Sequence, residues 1–392
     1  MSLTQLPTEI LQAIAQNADR LKLSHCIDLK NLCEVSKQLY DATIPLLYQA
    51  IQVRATSSSN KSIVSKLNSI PTKHLKYTKD INFSASFLDR HEMRNGLQIS
   101  KGETDAWKPI VDRVLSSLVK GKLRSFSWEL GPLMDNNLLW SLWGDTGLLA
   151  STQEHIEIIR LITTPEFSHH SQNFVNLVRL KNLRSLSWKG LSRYEDFEAI
   201  RNCIEQNTSI ESLEFHFWDC DYPRQELDTE FGQNRRRPFN CFAQYLLRLQ
   251  PNESKLVLPS LKNLSLSKAM FYGPGLDIAQ ALNISQLRTL KLWNCHDTYA
   301  WLDSIVDSAQ PLQLTTLELV DSPFQFDLYY SGIRITPICV RFLTAFDGLI
   351  DLFLMLQQPV DWLNIFDAAY HHHATLKRLV VDNLKMGYSL YY

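Results

Sequence analysis

A pattern of the form LxxLxL, in which other bulky apolar residues replace some of the leucines, occurs nine times after residue 120. Five of the eight gaps between successive copies are 26 or 27 residues long. A fixed period of this kind means that one structural unit is repeated, with each unit burying its apolar face against its neighbours. The copies begin at Leu123, Ile156, Leu183, Ile210, Leu261, Leu287, Leu314, Leu349 and Leu376.

Each period combines a strand pattern with a helix pattern. The apolar residues of LxxLxL alternate at its end, which predicts a short strand whose apolar side chains point to one side. Segments with helical periodicity lie between the predicted strands, at 194–207, 298–310 and 360–371. One strand and one helix in about 27 residues is the layout of a leucine-rich repeat solenoid, an α/β fold with short parallel strands.

The repeats resemble the leucine-rich repeat family in one further detail. In "LRTLKLWNC", Cys295 stands where many such repeats have asparagine or cysteine. Most of the other units depart from that pattern, so we expect an irregular solenoid over residues 75–392. The longest gap contains a polar stretch near 219–240, which is either an insertion or one degraded repeat. Trp128 and Trp188 occupy a leucine position, which predicts locally wide core layers.

The N-terminal residues do not follow the repeat. The segment "LPTEILQAI" has helical periodicity, and Pro7 suits a first helical turn, where its missing N–H group is not needed. A second helical stripe includes Leu29, Leu32 and Tyr40, and Pro45 is predicted to end it. These features predict a helical module of two or three helices over residues 1–53, too small to own much core. Residues 54–74 are then a linker or a helical cap.

Three elements of this module, "LPTEI", "EVSK" and "IPLLYQ", resemble in their order an F-box domain of the form common in fungal proteins. The resemblance implies that the module binds a Skp-type adaptor, which links it to a cullin-based ubiquitin ligase. The family's frequent tryptophan after the second helix is replaced here by Leu39-Tyr40. The alternative is a helical cap on the solenoid that has no partner. By resemblance, the residues that face the adaptor include Leu6, Pro7, Ile10, Leu11, Ile14, Leu32, Val35, Ser36 and Leu39.

The bulk composition gives no reason to expect a nucleic acid or a membrane as the partner. The formal net charge is −1 for 392 residues, so there is no overall attraction to nucleic acid or to an anionic membrane. The sequence has no run of eighteen apolar residues and no secretory signal at its start, and its seven cysteines contain no CxxC pair. We therefore expect reduced thiols in a cytoplasmic or nuclear protein.

No pattern in the sequence proposes catalysis, a metal site or a cofactor. We find no GxSxG, HExxH or P-loop motif. The three consecutive histidines 371–373 point about 100° apart on a helix and cannot hold one metal ion together, so we expect a solvated helix end. Three arginines at 235–237 lie among acidic residues and suggest a solvated loop rather than a phosphate site.

The outward side chains of the predicted strands are the candidates for specific recognition. In each repeat the first, fourth and sixth residues point into the core, so the third, fifth and seventh line the concave wall of the solenoid. A water-exposed Trp293, with Phe353 and Met355 beside it, would provide natural anchors for a protein substrate, unless a neighbouring loop or the C-terminal tail covers them. The substrate-binding candidates are Arg160, Lys189, Glu214, His216, Lys291, Trp293, Glu318, Phe353 and Met355.

These features lead to one preferred hypothesis and two others. The preferred hypothesis is a substrate-recognition subunit of a Skp–cullin–F-box ubiquitin ligase, not itself an enzyme, whose solenoid binds a protein substrate. The second is a leucine-rich-repeat interaction scaffold that never joins a ligase. The third and weakest is a repeat-based receptor for a ligand or a nucleic acid.

Overall fold

The fold is taken from a computed structural model of the chain. The residues that it describes are 6–7, 9–11, 13, 25–55, 65, 67–85, 101–130, 142–144, 147–163, 175–191, 194–217, 241–249, 256–271, 275–321, 335–357 and 360–384. The predicted polar stretch near 219–240, with its three arginines, and the C-terminal residues after 384 lie outside them.

All nine LxxLxL copies form strands, as the repeat predicts. Each strand begins two residues after the first residue of its copy, so the copy at Leu123 gives a strand from Ser125. Two further strands precede these nine, and the repeat pattern did not predict them. The strands are β1 (Ala50–Ala55), β2 (Asp80–Ala85), β3 (Ser125–Glu129), β4 (Ile158–Ile162), β5 (Ser185–Leu191), β6 (Ser212–Phe217), β7 (Asn263–Ser267), β8 (Thr289–Trp293), β9 (Thr316–Val320), β10 (Asp351–Gln357) and β11 (Arg378–Leu384).

Helices alternate with the strands through the repeats, and the three predicted helical segments are confirmed. Shorter 3-10 turns lie at Thr72–Tyr77 and Ile284–Gln286, and a π-helical turn at Cys241–Leu246. The α-helices are α1 (His25–Val35), α2 (Lys37–Leu47), α3 (Lys101–Ser116), α4 (Leu148–Thr152), α5 (Tyr194–Gln206), α6 (Gly275–Ala281), α7 (Thr298–Asp307), α8 (Ile335–Leu343) and α9 (Trp362–Tyr370).

The chain divides into two compact units. The first comprises Met1–Ile162 and Ser171–Asn182 and contains β1 to β4, which pair in parallel in chain order. The second comprises Thr163–His170 and Leu183–Tyr392 and contains β5 to β11, again parallel and in chain order. Each unit is therefore a solenoid-like stack of strand-and-helix repeats.

The strand register places equivalent residues of the repeats side by side. In the second unit the third residues of the copies are aligned, for example Asn263 with Thr289 and Thr289 with Thr316. The fourth and sixth residues are buried in β5 to β9, as Leu290 and Leu292 are in β8. We call the opposite side of the strands, which carries the third, fifth and seventh residues, the outer face.

One prediction about the N-terminal helices is wrong. Pro45 was expected to end the second helix, but α2 continues through Pro45 to Leu47. The proline lies in the last turn, where its missing N–H group removes a single hydrogen bond near the helix end. The strand β1 then begins at Ala50, inside the segment predicted to be helical.

The tryptophans in leucine positions lie in the core of the repeats. Trp128 and Trp188 are completely buried. The ring of Trp128 lies 5.0 Å from that of Phe83 on the neighbouring strand, measured between centroids. In the second unit, the indole Nε1–H of Trp188 donates a hydrogen bond to Thr163 Oγ1 at 3.0 Å. This bond satisfies the polar atom of a side chain that is otherwise surrounded by the core.

Buried polar side chains connect successive repeats, a feature that the LxxLxL pattern did not predict. Asn207 is buried; its Oδ1 accepts from the backbone N–H of Leu183 at 2.9 Å, and its Nδ2 donates to the carbonyl of Cys203 at 2.8 Å. In the first unit, Gln153 Oε1 accepts from the backbone N–H of Leu123, and its Nε2 donates to the carbonyl of Val119. Each side chain therefore satisfies backbone groups that the repeats themselves leave buried.

Candidate protein-interaction surfaces

The described residues of the N-terminal helical module form a small core cluster. Leu11, Leu39 and Ala42 are buried together, and Leu6 packs against them. Leu11 and Leu39 were among the residues expected to face the adaptor, but their side chains point into the module. They hold its helices together, which is the first requirement for any surface that the module presents.

Other members of the predicted adaptor-binding set lie at the surface of the module. Pro7, Ile10 and Val35 are exposed, and Leu32 is half-buried. Ile27, which was not in the predicted set, is as exposed as Val35, at 63% each. Ile14 lies outside the described residues.

Ser36 lies between α1 and α2 and caps the start of α2. Its backbone is extended, and its Oγ accepts a hydrogen bond from the backbone N–H of Leu39 at 3.2 Å. A serine at this position satisfies one of the N–H groups that a helix start leaves unpaired. The serine predicted to face the adaptor therefore stabilises the start of α2, and it is half-buried.

Aromatic contacts attach the module to the strands that follow it. The rings of Tyr48 and His74 stack with centroids 4.7 Å apart, and the hydroxyl of Tyr40 lies 3.3 Å from His74 Nε2. Thr78 Oγ1 donates to the carbonyl of Tyr48 at 2.9 Å. Burial, with the charges of Lys73 and Lys76, lowers the pKa of His74, so this imidazole is neutral near pH 7. The helix α2 is thereby fixed relative to the start of the repeats.

Every described residue in the predicted substrate-binding set lies on the outer face of a strand. Arg160 is exposed on β4, in the first unit. The other eight belong to the second unit, where they divide into a charged group on β5 and β6 and a largely apolar group on β8 to β10.

The charged group is tied together by hydrogen bonds. Glu214 accepts from Lys189 Nζ at 2.8 Å and from Ser187 Oγ at 2.8 Å. His216 lies directly across from Lys189 in the strand register. Burial, followed by the charges of Lys268 and Lys189, lowers the pKa of His216 to about 4. This part of the outer face therefore carries a neutral imidazole between ammonium groups at pH 7.

The depressed pKa of His216 predicts a loss of stability in acid. In the unfolded chain its pKa is near 6.5, so between that pH and about 4 only the unfolded state binds the proton. The free energy of unfolding is fully retained above pH 6.5, and we expect it to fall by roughly 2 kcal/mol as the pH is lowered towards 4, a figure reduced for the partial exposure of the ring.

Urea titrations at several pH values, compared with those of His216→Gln, measure this effect. The other titrating groups contribute equally to both proteins, so the variant should show a shallower loss between pH 6.5 and 4. Identical curves for the two proteins would contradict the assignment.

The apolar group is centred on Trp293. Its side chain is 43% exposed, yet its Nε1–H donates to Glu318 Oε2 at 3.3 Å, while Glu318 Oε1 accepts from Lys291 Nζ at 2.6 Å. These bonds hold the indole in place without burying it. A ring fixed in this way loses little conformational entropy on binding, which suits an interface anchor.

The apolar group is larger than the sequence interpretation suggested. Trp293 and Met355 are not adjacent, because β9 lies between their strands and places Val320 in the same row. Val380 on β11 continues the patch beside Phe353. Val320 and Val380 stand at the seventh and fifth positions of their repeats, which face outward. The same rule that selected Trp293 could therefore have selected both valines from the sequence. The two groups together give the outer face a charged end and an apolar end.

The three consecutive histidines are not all solvated, contrary to our expectation. His371 and His373 are exposed, but His372 is buried, and its Nε2 donates to the carbonyl of Leu343 at 2.9 Å. The imidazole serves the same purpose as Asn207, satisfying a backbone group of the preceding repeat. Among the residues that the structure describes, no group of three or more His, Cys, Asp or Glu side chains could hold a metal ion.

The fold and these surfaces place the chain in the class of α/β repeat proteins built from parallel strands and alternating helices. Within the described ranges, no helix combines the length and the apolar character needed to cross a membrane. Neither a known family model nor a curated protein matches the sequence.

Proposed function

We propose that this protein is the substrate-recognition subunit of a Skp–cullin–F-box type ubiquitin ligase. In this proposal the N-terminal module is an F-box that binds a Skp-type adaptor, and the outer face of the repeats binds a protein substrate. The chain itself catalyses nothing. Its contribution is to hold the substrate near the transfer machinery, which raises the effective concentration of the reacting groups.

The observation that carries the proposal is the division of apolar side chains in the N-terminal module. Leu11 and Leu39 lie in its core, whereas Pro7, Ile10 and Val35 are exposed. A helical cap with no partner gains nothing by exposing β-branched apolar side chains. A docking module gains about 1.5–3 kcal/mol for each such side chain that a partner buries fully.

The elements that carry the F-box resemblance include these exposed side chains. Pro7 and Ile10 belong to "LPTEI", and Val35 belongs to "EVSK". Ser36, which follows Val35 directly, caps the start of α2. The part of the sequence that resembles the family therefore includes both core side chains and exposed apolar side chains.

The outer face supports the second half of the proposal. Trp293 is exposed but held by Glu318. Val320 and Met355 continue its row on the next two strands, and Phe353 and Val380 lie in the adjacent row. An exposed aromatic side chain with apolar side chains further along its row and an ion pair beside it has the composition of an interface centre with a polar rim. A substrate segment with an apolar centre would fit it.

A co-purification experiment tests the ligase assignment. Full-length protein and the Val35→Asp variant are expressed in fungal cells, and recovery of the Skp-type adaptor and the cullin is measured. We expect the wild type to recover both, and the variant to lose at least about nine-tenths of each, because the new carboxylate would be buried against the adaptor. Since Val35 is exposed in the free chain, the substitution should leave the thermal unfolding temperature of the protein unchanged.

Ile27→Asp provides the matched control. Ile27 is apolar, β-branched and as exposed as Val35, but it lies outside the predicted adaptor-facing set. It should retain adaptor and cullin near the wild-type level. If wild-type protein recovers neither partner, the ligase proposal fails and the interaction scaffold becomes the better account. Equal losses in both variants would show a general apolar association instead of an F-box surface.

A further inference from the structure

β11, the last strand that the structure describes, is paired along one edge only. β11 pairs in parallel with β10, and among the described residues it pairs with no other strand. The backbone N–H of Arg378 donates to the carbonyl of Ile350 beside β10. Because backbone groups alternate in direction along a strand, those of Leu379, Val381 and Asn383 point to the free edge. Such a row of donors and acceptors is a template for another strand.

Apolar side chains accompany this edge on both faces of the sheet. Leu379 is exposed, although the residue at the same repeat position is buried in each of the strands β5 to β10. Val380, on the outer face, is 48% exposed. Natural edge strands are usually protected by inward-pointing charges, proline or a covering segment. The centre of β11, "LVV", carries none of these charges.

The helix that connects β10 to β11 adds a second exposed apolar surface. Leu363, Phe366 and Tyr370 are exposed along α9, Leu363 at 72%. The spacing of three and four residues places them in one stripe of the helix. Ile365 and Ala368 are buried on its other side. In a repeat array, the stripe is the surface against which another helix would pack.

We propose that a second copy of this chain binds here, with the two β11 strands pairing in antiparallel orientation about a two-fold axis at Val380. Each sheet is then continued by that of the other copy. In this register Leu379 is opposite the partner's Val381, and these two residues exchange backbone hydrogen bonds. Val380 meets its own symmetry mate in the intervening, closely spaced pair.

Charge selects this register. A two-fold axis at Val380 places Arg378 opposite the partner's Asp382, and Asp382 opposite the partner's Arg378, both on the outer face. An axis at Leu379 or at Val381 places Val380 opposite one of these charged groups. Arg378 and Asp382 are exposed. The guanidinium of Arg378 already contacts Asp351 through Nε at 2.6 Å, and its geometry offers further N–H donors to the partner's carboxylate.

The helix layer fits the same arrangement. Two strands, one from each copy, would lie between the two α9 connections, and strands are spaced about 4.8 Å apart. The two α9 helices are then about 10 Å apart, the usual packing distance between helices. The exposed stripes of Leu363, Phe366 and Tyr370 would meet across the axis, so one contact covers both the edge and the helix.

Sedimentation velocity on the full chain between about 1 and 50 µM tests the proposal. At the higher concentrations we expect the molar mass obtained for the wild type to be twice that of a single chain. Val380→Lys places two ammonium groups beside each other on the axis and should raise the dissociation constant at least about 100-fold. The matched control is Ser265→Lys, at the equivalent outward position of β7, which should leave the dimer intact. A wild type that stays monomeric throughout overturns the proposal, as does a Val380→Lys variant that dimerises normally.

A mixing experiment tests the register itself. Asp382→Lys and Arg378→Glu should each be monomeric alone, because each places like charges opposite one another. In an equimolar mixture every pair across the axis is of opposite charge, so dimers should return. Thermal unfolding of each variant checks that it folds. Dimers that form in either single variant as readily as in the wild type, or a mixture of folded variants that stays monomeric, would overturn the register.

Discussion

Replacing Trp188 by alanine is expected to lower the free energy of unfolding of the second unit by about 4 kcal/mol. The side chain is completely buried in the layer between β5 and its neighbours, and its removal leaves a cavity the size of an indole. It also leaves Thr163 Oγ1 without the hydrogen bond that Nε1 donates. Urea titration followed by circular dichroism measures the change.

Trp293→Ala is the matched control for this substitution. Trp293 occurs in the same unit, also on a strand, but on the outer face and 43% exposed. Its loss should cost less than about 1 kcal/mol of stability, since little apolar area leaves the core. Equal costs for the two tryptophans would mean that the core and the outer face have been assigned incorrectly.

Asn207→Ala is expected to cost about 3 kcal/mol, the second largest effect among our stability predictions. The substitution removes the acceptor of the buried Leu183 N–H and the donor to the Cys203 carbonyl at once. A buried backbone group without a partner is penalised by its full desolvation. The measurement is again the free energy of unfolding from urea titration.

Asn182→Ala is the matched control, because it removes an asparagine side chain whose hydrogen bond is exposed to water. Its amide lies 2.9 Å from His155 Nδ1 in an exposed contact, where water can replace the missing partner. The cost should stay within about 0.5 kcal/mol. A cost for Asn207→Ala as small as this would show that the bonds between repeats contribute little to stability.

The repeat period predicted most of the fold because each LxxLxL copy by itself indicates both a strand and the start of a repeat unit. Leu183 and the residues after it show both the alternation of a strand and the start of a unit. The LxxLxL pattern did not identify β1 and β2, because their segments "AIQVRA" and "DINFSA" have leucine-like residues only at the fourth and sixth positions of the pattern. These residues are Ile51 and Val53 in β1, and Ile81 and Phe83 in β2. Two apolar residues in alternation are too few to identify a repeat.

The surfaces were less predictable because they depend on distances across strands. Sequence position placed Trp293 and Met355 on the outer face, but only the register shows Val320 between them. Similarly, three consecutive histidines are polar residues that usually lie at the surface. His372 is buried because its imidazole bonds to the carbonyl of Leu343 in the preceding repeat. In the N-terminal module, periodicity marked Ile10 and Leu11 as equally apolar, and only packing separates the exposed side chain from the buried one.

The bonds formed by Gln153, Asn207 and His372 bear on the order in which the chain acquires its structure. Each reaches a partner only 24 to 30 residues earlier in the sequence. A repeat can therefore complete its polar contacts with a segment that has already been synthesised, without waiting for anything downstream. Short closures of this kind cost little loop entropy, so folding can start early and advance one repeat at a time towards the C-terminus.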